Sequence, residues 1–264
     1  MLSIIIVAYK PEIKRLKNIL TLINKKIKII LINNSESSDL NKIKFKNNIK
    51  IIKSKNNGNG AAINLGLKNV KTKYAMYLDI DVEFRKNFVG NITNLANKIN
   101  NFGILVPNHG NLKSTKDKIE KYDGEGSIMF FNLNVLKKKN LFDENYFLYF
   151  EEQDLFYFCK KNSIKVFFLP RIQIKHFRAS SVSYAKKNLT YLRSWHYAWS
   201  MFFFYKKNFN YFTAIKKTFL IFFKDLLMVI FYLISFDIES LKIRFFRLYG
   251  FISSMLGFKS FLRP

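Results

Sequence analysis

The sequence predicts an α/β fold: a mostly parallel sheet flanked by helices, followed by a helical, aromatic-rich C-terminal extension. Three observations lead there. Continuous β-branched runs at 2–8, 27–32 and 49–53 read as strands buried on both faces of a parallel sheet. Between the first two, Ile13, Leu16, Ile19, Leu20 and Ile23 recur at helical spacing. From about residue 183 onward the strand-like runs give way to aromatic and basic helical ones. Strands alternating with helices make a doubly wound sheet, whose ligands collect at the carboxyl ends of its strands.

A chain of 264 residues holds one α/β domain of ordinary size and an appendage. Its 49% hydrophobic content, with 29 Phe, excludes a disordered chain. The 45 Lys and Arg against 18 Asp and Glu give +27, which attracts phosphate-rich partners such as nucleotide-linked substrates, anionic lipid or nucleic acid. The single Cys159 excludes a disulfide framework and reads as a small buried hydrophobe in a reducing compartment. The apolar start has no basic region before it and no small-residue cleavage site, so it reads as a first strand of a cytoplasmic protein rather than a signal peptide.

Along the chain, 33–39 is a polar turn closing the second strand. Segment 56–67 opens a helix with Gly58 and Gly60, where backbone can approach an anion near a helix N-terminus. Residues 73–81 form a strand ending in Asp79 and Asp81, which alternation along a strand would point the same way. Two converging carboxylates suit a hard divalent cation beside a substrate's phosphates. A helix near 87–99, a strand at 102–107, a long polar loop at 108–126 with a solvated His109, a strand at 127–132 and a short basic helix at 135–139 follow.

A second constellation gathers Glu151, Glu152 and Asp154 among aromatics. One acid there is explained by a helix N-terminus; three crowd charge unless a cation or protonation relieves it. A strand at 164–169 stops at Pro170, and the chain reaches His176, a competent metal ligand.

This order of features resembles inverting family 2 glycosyltransferases of the GT-A (Rossmann-like) fold, most closely the rhamnosyltransferase-like branch. The resemblance covers 2–181 and lies in several motifs: Ala8-Tyr9-Lys10 for the T-Y-N-like turn; Asn33-Asn34-Ser35-Glu36 for D-N-x-S, with Asn33 where Asp is usual; Asn56, Gly58, Ala62, Asn64 and Gly66 for the Asn/Gly segment; Asp79 and Asp81 for D-x-D; 142–155 for the F-D-E to E-D-x-D-L block; and Pro170 with His176. The resemblance implies a nucleotide site at Ala8, Tyr9, Asn33, Asn34, Asn56, Gly58, Asn64 and Asp79. It further implies a divalent metal, Mg²⁺ or Mn²⁺, on Asp81 and His176 with Asp79. It makes Glu152 the base, one methylene longer than the usual Asp, with Glu151 and Asp154 binding the acceptor or ordering the base. The implied activity is inverting sugar transfer, with rhamnose a candidate, from a nucleoside diphosphate donor to a glycan or lipid-linked acceptor in cell-surface polysaccharide synthesis.

The expected organisation is a catalytic domain at 1–182, its nucleotide-sugar half about 1–106 and its acceptor and base half about 107–182, with a membrane-associating extension at 183–264. From Lys175 on, 15 Lys or Arg face three acids, Asp225, Asp237 and Glu239, amid aromatics. Lys224-Asp225 interrupts the apolar run 218–236, which disfavours spanning and favours a peripheral helix on the inner face of the cytoplasmic membrane. No nucleic-acid partner is expected, because helix-turn-helix and RNP signatures are lacking. The rival readings are a non-catalytic nucleotide-sugar or nucleic-acid binder on the same scaffold, which gives the carboxylates no task, and a two-metal nucleotidyltransferase, which leaves 142–176 unexplained.

Overall fold

Strands β1 (Leu2–Ala8), β2 (Lys28–Asn33), β3 (Ile49–Lys53) and β4 (Tyr74–Leu78) run parallel in the order β3-β2-β1-β4. The computed structural model describes residues 1–35, 40, 43, 45–110, 113–137, 140–177 and 186–264. Beyond β4 the sheet becomes mixed: β8 (Ile128–Asn132) lies antiparallel to both β4 and β6 (Ile104–Asn108). Then β9 (Val166–Gln173) pairs parallel to β6, and β7 (Ile119–Glu120) closes the edge antiparallel to β9. The expected fold class holds, a mainly parallel eight-stranded sheet flanked by helices with an aromatic-rich set of C-terminal helices.

Alternation along the buried strands divides the core into two layers. Ile4 and Ile6 of β1 pack with Leu16, Ile19 and Leu20 of α1 (Ile13–Thr21) and with Phe88, Val89 and Ile92 of α3 (Phe88–Lys98). Ile5 points the other way, towards Ala62, Ile63 and Leu67 of α2 (Asn59–Lys68) and Leu155 and Cys159 of α5 (Glu151–Lys161). Burial pushes the Cys159 thiol up to about 12, so it stays an inert apolar group.

Two local expectations are corrected. β9 does not stop at Pro170 but runs through it to Gln173. A proline lacks an N–H for the ladder, and the β6–β9 register shifts between Pro107 and Asn108, where the Asn108 amide donates to the Pro170 carbonyl at 3.0 Å. The short basic helix is α4 (Leu133–Leu136), because Lys137 adopts a left-handed φ of 51° that ends it; 138–139 lie outside the described residues.

The chain forms two compact units, Met1–Phe142 with Leu155–Ser183, and Asp143–Asp154 with Tyr184–Pro264. The expected boundary at 182/183 falls outside the described residues. The second unit contains α6 (Lys186–Asn208), α7 (Tyr211–Ile234) and α8 (Ile238–Met255). Asn210 caps α7 by accepting from Thr213 N at 2.7 Å, and Asp237 caps α8 by accepting from Ser240 N at 3.1 Å. Trp195, Trp199 and Tyr146 build one aromatic cluster, and Phe202, Ala214 and Phe251 belong to another. Among the described residues no helix is long and apolar enough to cross a membrane.

Candidate active site

Asp79 and Asp81 meet through a turn, not through the strand alternation expected of them. β4 ends at Leu78, Asp79 N donates to Ser127 O at 2.9 Å, and the Asp79 carboxylate accepts from Ile80 N at 2.7 Å, which bends the chain before Asp81. Asp81 then enters a two-strand ladder of β5 (Val82–Glu83) and β10 (Lys175–His176), in which His176 stands opposite Val82 and Phe177 N donates to Asp81 O at 2.8 Å. Two short backbone pairings thus carry His176 to an acid far away in sequence. His176 Nε2 lies 3.0 Å from Asp81 Oδ1, and Asp79, Asp81 and His176 each offer a ligand atom within 4.8 Å of the others.

Electrostatics mark the group as short of positive charge. Burial, then the Asp81 charge, pushes the Asp79 carboxyl up to about 7. His176 is raised above its ordinary value, foremost by the Asp81 carboxylate at its ring, with burial opposing. Asp81 is buried and its Oδ1, although in ion-pair range of His176, accepts no well-aligned hydrogen bond among the described residues. Carboxylate oxygens and one imidazole nitrogen this close fit a divalent cation of the Mg²⁺ or Mn²⁺ kind.

At the carboxyl ends of β1 and β2, Asn34 N donates to Ala8 O at 2.8 Å, and Lys10 N donates to Ser35 Oγ. These bonds fix Ala8 and Tyr9 beside the second strand's end. Asn33 is buried and its Oδ1 accepts from Ser35 N at 3.0 Å; Asn34 Oδ1 is buried with no hydrogen-bond partner among the described residues. Asn56 Oδ1 accepts from Gly58 N at 3.3 Å, and Gly58, at φ 103°, starts α2 from a conformation that glycine alone adopts readily. Asn64 is engaged structurally, its amide donating to Phe142 O at 2.9 Å and accepting from Phe142 N at 3.1 Å. Glu36 lies outside the described residues.

The second unit carries Glu151, Glu152 and Asp154. α5 starts at Glu151 directly after Tyr149 and Phe150, both left-handed at φ 68° and 67°. Consecutive bulky residues in that region store strain, a feature concentrated at functional sites. Burial raises the Glu152 carboxyl above its ordinary value. Asp154 instead accepts from Lys207 Nζ at 2.6 Å and Asn208 Nδ2 at 2.7 Å, so its charge is matched within the helical unit.

Sequence pattern does not single out Glu125 or Ser127, and it reads His109 as solvated. Glu125 Oε2 lies 3.3 Å from His176 Nδ1. His109 is half-buried, with Nε2 2.7 Å from Ser127 Oγ and its ring edge-on to His176 at 6.1 Å. His109, Glu125 and His176 form a second group of ligand atoms within 4.8 Å. The one available signal was an acid between two glycines late in a long loop.

Residues 3–167 match the family model described as glycosyl transferase family 2. No curated protein sequence matches the chain. Among solved structures, a mannosyltransferase, PcManGT from Pyrobaculum calidifontis in complex with GDP-Man and Mn²⁺, aligns at TM-score 0.58 and 8% identity over 96% of this chain and 86% of its own. GalNAc-T7 with UDP, GalNAc and Mn²⁺ aligns at 0.57 and 13% over 82% and 56%. S. aureus TarS 1-349 aligns at 0.55 and 11% over 97% and 91%, whereas against the longer S. aureus TarS structure the aligned part spans 39% of that protein. At such identities the likeness is one of fold, and the fold is GT-A.

Proposed function

The chain belongs to glycosyl transferase family 2, and from that premise we propose that it transfers a sugar from a nucleoside diphosphate donor to a hydroxyl of a glycan or lipid-linked acceptor. We assign inversion at the anomeric carbon, rhamnose as the candidate sugar, and cell-surface polysaccharide synthesis as the setting. The observation that carries this reading is the Asp79, Asp81 and His176 group at the end of β4 in a chain of this family. The Mn²⁺ and nucleotide partners of GalNAc-T7 and PcManGT support it.

In this reading 1–182 is the catalytic domain, with donor residues mainly in 1–106 and acceptor and base residues in 107–182. Asp81 and His176 would hold Mg²⁺ or Mn²⁺, with Asp79 serving the ribose or the ion. When bound, the ion supplies Lewis acidity to the departing diphosphate. Ala8, Tyr9, Asn33 and Asn34 bind the nucleoside, while Asn56 and Gly58 orient the nucleotide and Asn64 holds that segment to Phe142. Glu152 takes the acceptor's hydroxyl proton as the acceptor oxygen bonds to the anomeric carbon; the bond from that carbon to the diphosphate oxygen breaks, and its electron pair leaves with the diphosphate. A carboxyl raised by burial is better matched to this proton transfer than an exposed one. Glu151 binds the acceptor, and Asp154, tied to Lys207, orders the base.

The extension at 183–264 attaches peripherally to anionic lipid on the inner face of the cytoplasmic membrane. Its support is α7, on which Phe212, Phe219, Leu220, Phe223, Leu227 and Ile234 recur at helical spacing and are exposed. Lys216, Lys217 and Lys224 are exposed on the same helix, and its one acid, Asp225, is buried. Such a face suits in-plane insertion. In flotation at physiological salt the protein rises with anionic vesicles, and failure to associate removes this part of the reading.

The central experiment is a thermal-shift screen of UDP-, dTDP- and GDP-sugars with and without Mn²⁺, followed by turnover of Glu152→Gln with the donor found. The variant retains donor binding and loses about 10²-fold or more in turnover. Undiminished turnover removes Glu152 as base; donor affinity independent of Mn²⁺ in the parent removes the metal.

A further inference from the structure

His176 is held between two carboxylates, one on each ring nitrogen: Asp81 Oδ1 at 3.0 Å from Nε2 and Glu125 Oε2 at 3.3 Å from Nδ1. We propose that Glu125 is a positioning residue for His176: by holding the proton on Nδ1 it leaves the Nε2 lone pair for a cation that the Asp79 and Asp81 carboxylates also bind. The proposal rests on the cation reading of that group. A neutral imidazole carries one N–H, and the nitrogen without it is the one able to ligate. Two acids compete for that N–H. A proton on Nε2 would bond to Asp81 and close the ligand position; Glu125 accepting from Nδ1 opens it.

The backbone around Glu125 favours this role over a chance surface contact. Gly124 has φ 147°, and a Cβ there would lie 2.6 Å from the buried Phe168 ring, so the chain passes that ring at a distance only glycine allows. Glu125 follows at once. Two residues later, Ser127 O accepts from Asp79 N at 2.9 Å, and Ser127 Oγ contacts His109 Nε2 at 2.7 Å. The segment bearing Glu125 is therefore bonded to the same turn that presents the two acids, and His176 is fixed on that turn's other side by the β5–β10 ladder. An imidazole held from both sides loses little freedom on taking up a cation.

The test uses the full chain with Mn²⁺ alone, followed by calorimetry, together with ring ¹⁵N and ¹³C NMR of His176 without metal, at a pH high enough for the ring to be neutral. With only three histidines in the sequence, a His176→Gln spectrum assigns the resonance. Glu125→Ala shifts the ring away from the Nδ1–H tautomer and weakens Mn²⁺ binding about 10- to 100-fold. Glu125→Gln restores the tautomer and most of the affinity, because its amide oxygen accepts the same N–H. An alanine variant with the parental tautomer and parental affinity overturns the proposal, as does a glutamine variant no better than alanine when both fold like the parent. A parent that binds no Mn²⁺ defeats the cation reading, and the tautomer then decides the role of Glu125 by itself.

Discussion

Asp225 and Asp154 in the helical unit and Asp79 and Asp81 in the sheet unit are buried or half-buried acids handled in opposite ways. In the helical unit Asp225, 1% exposed, pairs with Arg244 Nη1 at 2.7 Å and Arg247 Nε at 3.1 Å, and Lys207 Nζ sits 2.8 Å from Asp143 and 2.6 Å from Asp154. In the sheet unit Asp79 and Asp81 share one imidazole, and burial with mutual repulsion lifts Asp79 to about 7. The chain has 45 Lys and Arg to draw on, yet the cationic partner of these two acids among the described residues is a histidine. Acids neutralised by their own neighbours hold a fold together. Acids left in excess of positive charge are arranged for something that arrives.

That contrast breaks or sharpens under a paired substitution. Asp81→Ala has the largest effect expected, a loss of roughly 10³-fold in Mn²⁺-dependent turnover, equivalent to the several kcal/mol a catalytic metal supplies. Its unfolding free energy changes by no more than about 1 kcal/mol, because removing one of two crowded carboxylates relieves repulsion as it removes an ion pair. Asp225→Ala does the reverse, costing about 3–5 kcal/mol in denaturant unfolding by leaving two arginines unpaired. Equal destabilisation by the two, measured side by side, would end the distinction.

How much of this the sequence disclosed depends on whether the cause was local. The seven-residue run at Leu2–Ala8 states its strand outright, since both faces of β1 are buried and every position must be apolar or small. Strand direction leaves no such trace: the run at Ile128–Asn132 reads the same whether parallel or, as it is, antiparallel between β4 and β6. Motif order singles out Asp79, Asp81 and His176, but their proximity comes from the Asp79 turn and a two-residue ladder, which no periodicity encodes. Glu125 stays hidden because its partner is 51 residues away and an acid between two glycines in a loop does not say what it faces. The left-handed Tyr149 and Phe150 were equally invisible, since nothing in a bulky aromatic pair predicts positive φ.

The smallest effect expected tests whether the surroundings of His196, packed like those of Asp225 within the helical unit, tolerate a buried charge that has no partner. His196 packs against Phe147 at 4.8 Å and lies edge-on to Trp195 at 4.9 Å. Its neutral ring satisfies both neighbours, Nε2–H donating to Leu262 O at 3.0 Å and Nδ1 accepting from Ser260 Oγ at 3.2 Å. Burial first, with the Arg263 charge assisting and the Leu262 bond opposing, lowers its pKa from 6.5 to about 4. The folded value lies below the unfolded one, so between pH 6.5 and 4 the unfolded chain binds the extra proton. The contribution is complete above pH 6.5 and is lost progressively as pH falls towards 4, amounting in all to about 3 kcal/mol. Carboxylates titrate near the lower end, so the quantity to compare is the difference between parent and His196→Gln, followed by the fluorescence of Trp195 and Trp199 during unfolding at pH 7.5 and 4.5. The parent loses more stability than the variant over that span. If both fall equally, the helical unit accepts an unmatched proton as readily as the sheet unit does, and the contrast between them is confined to Asp225 and Asp154.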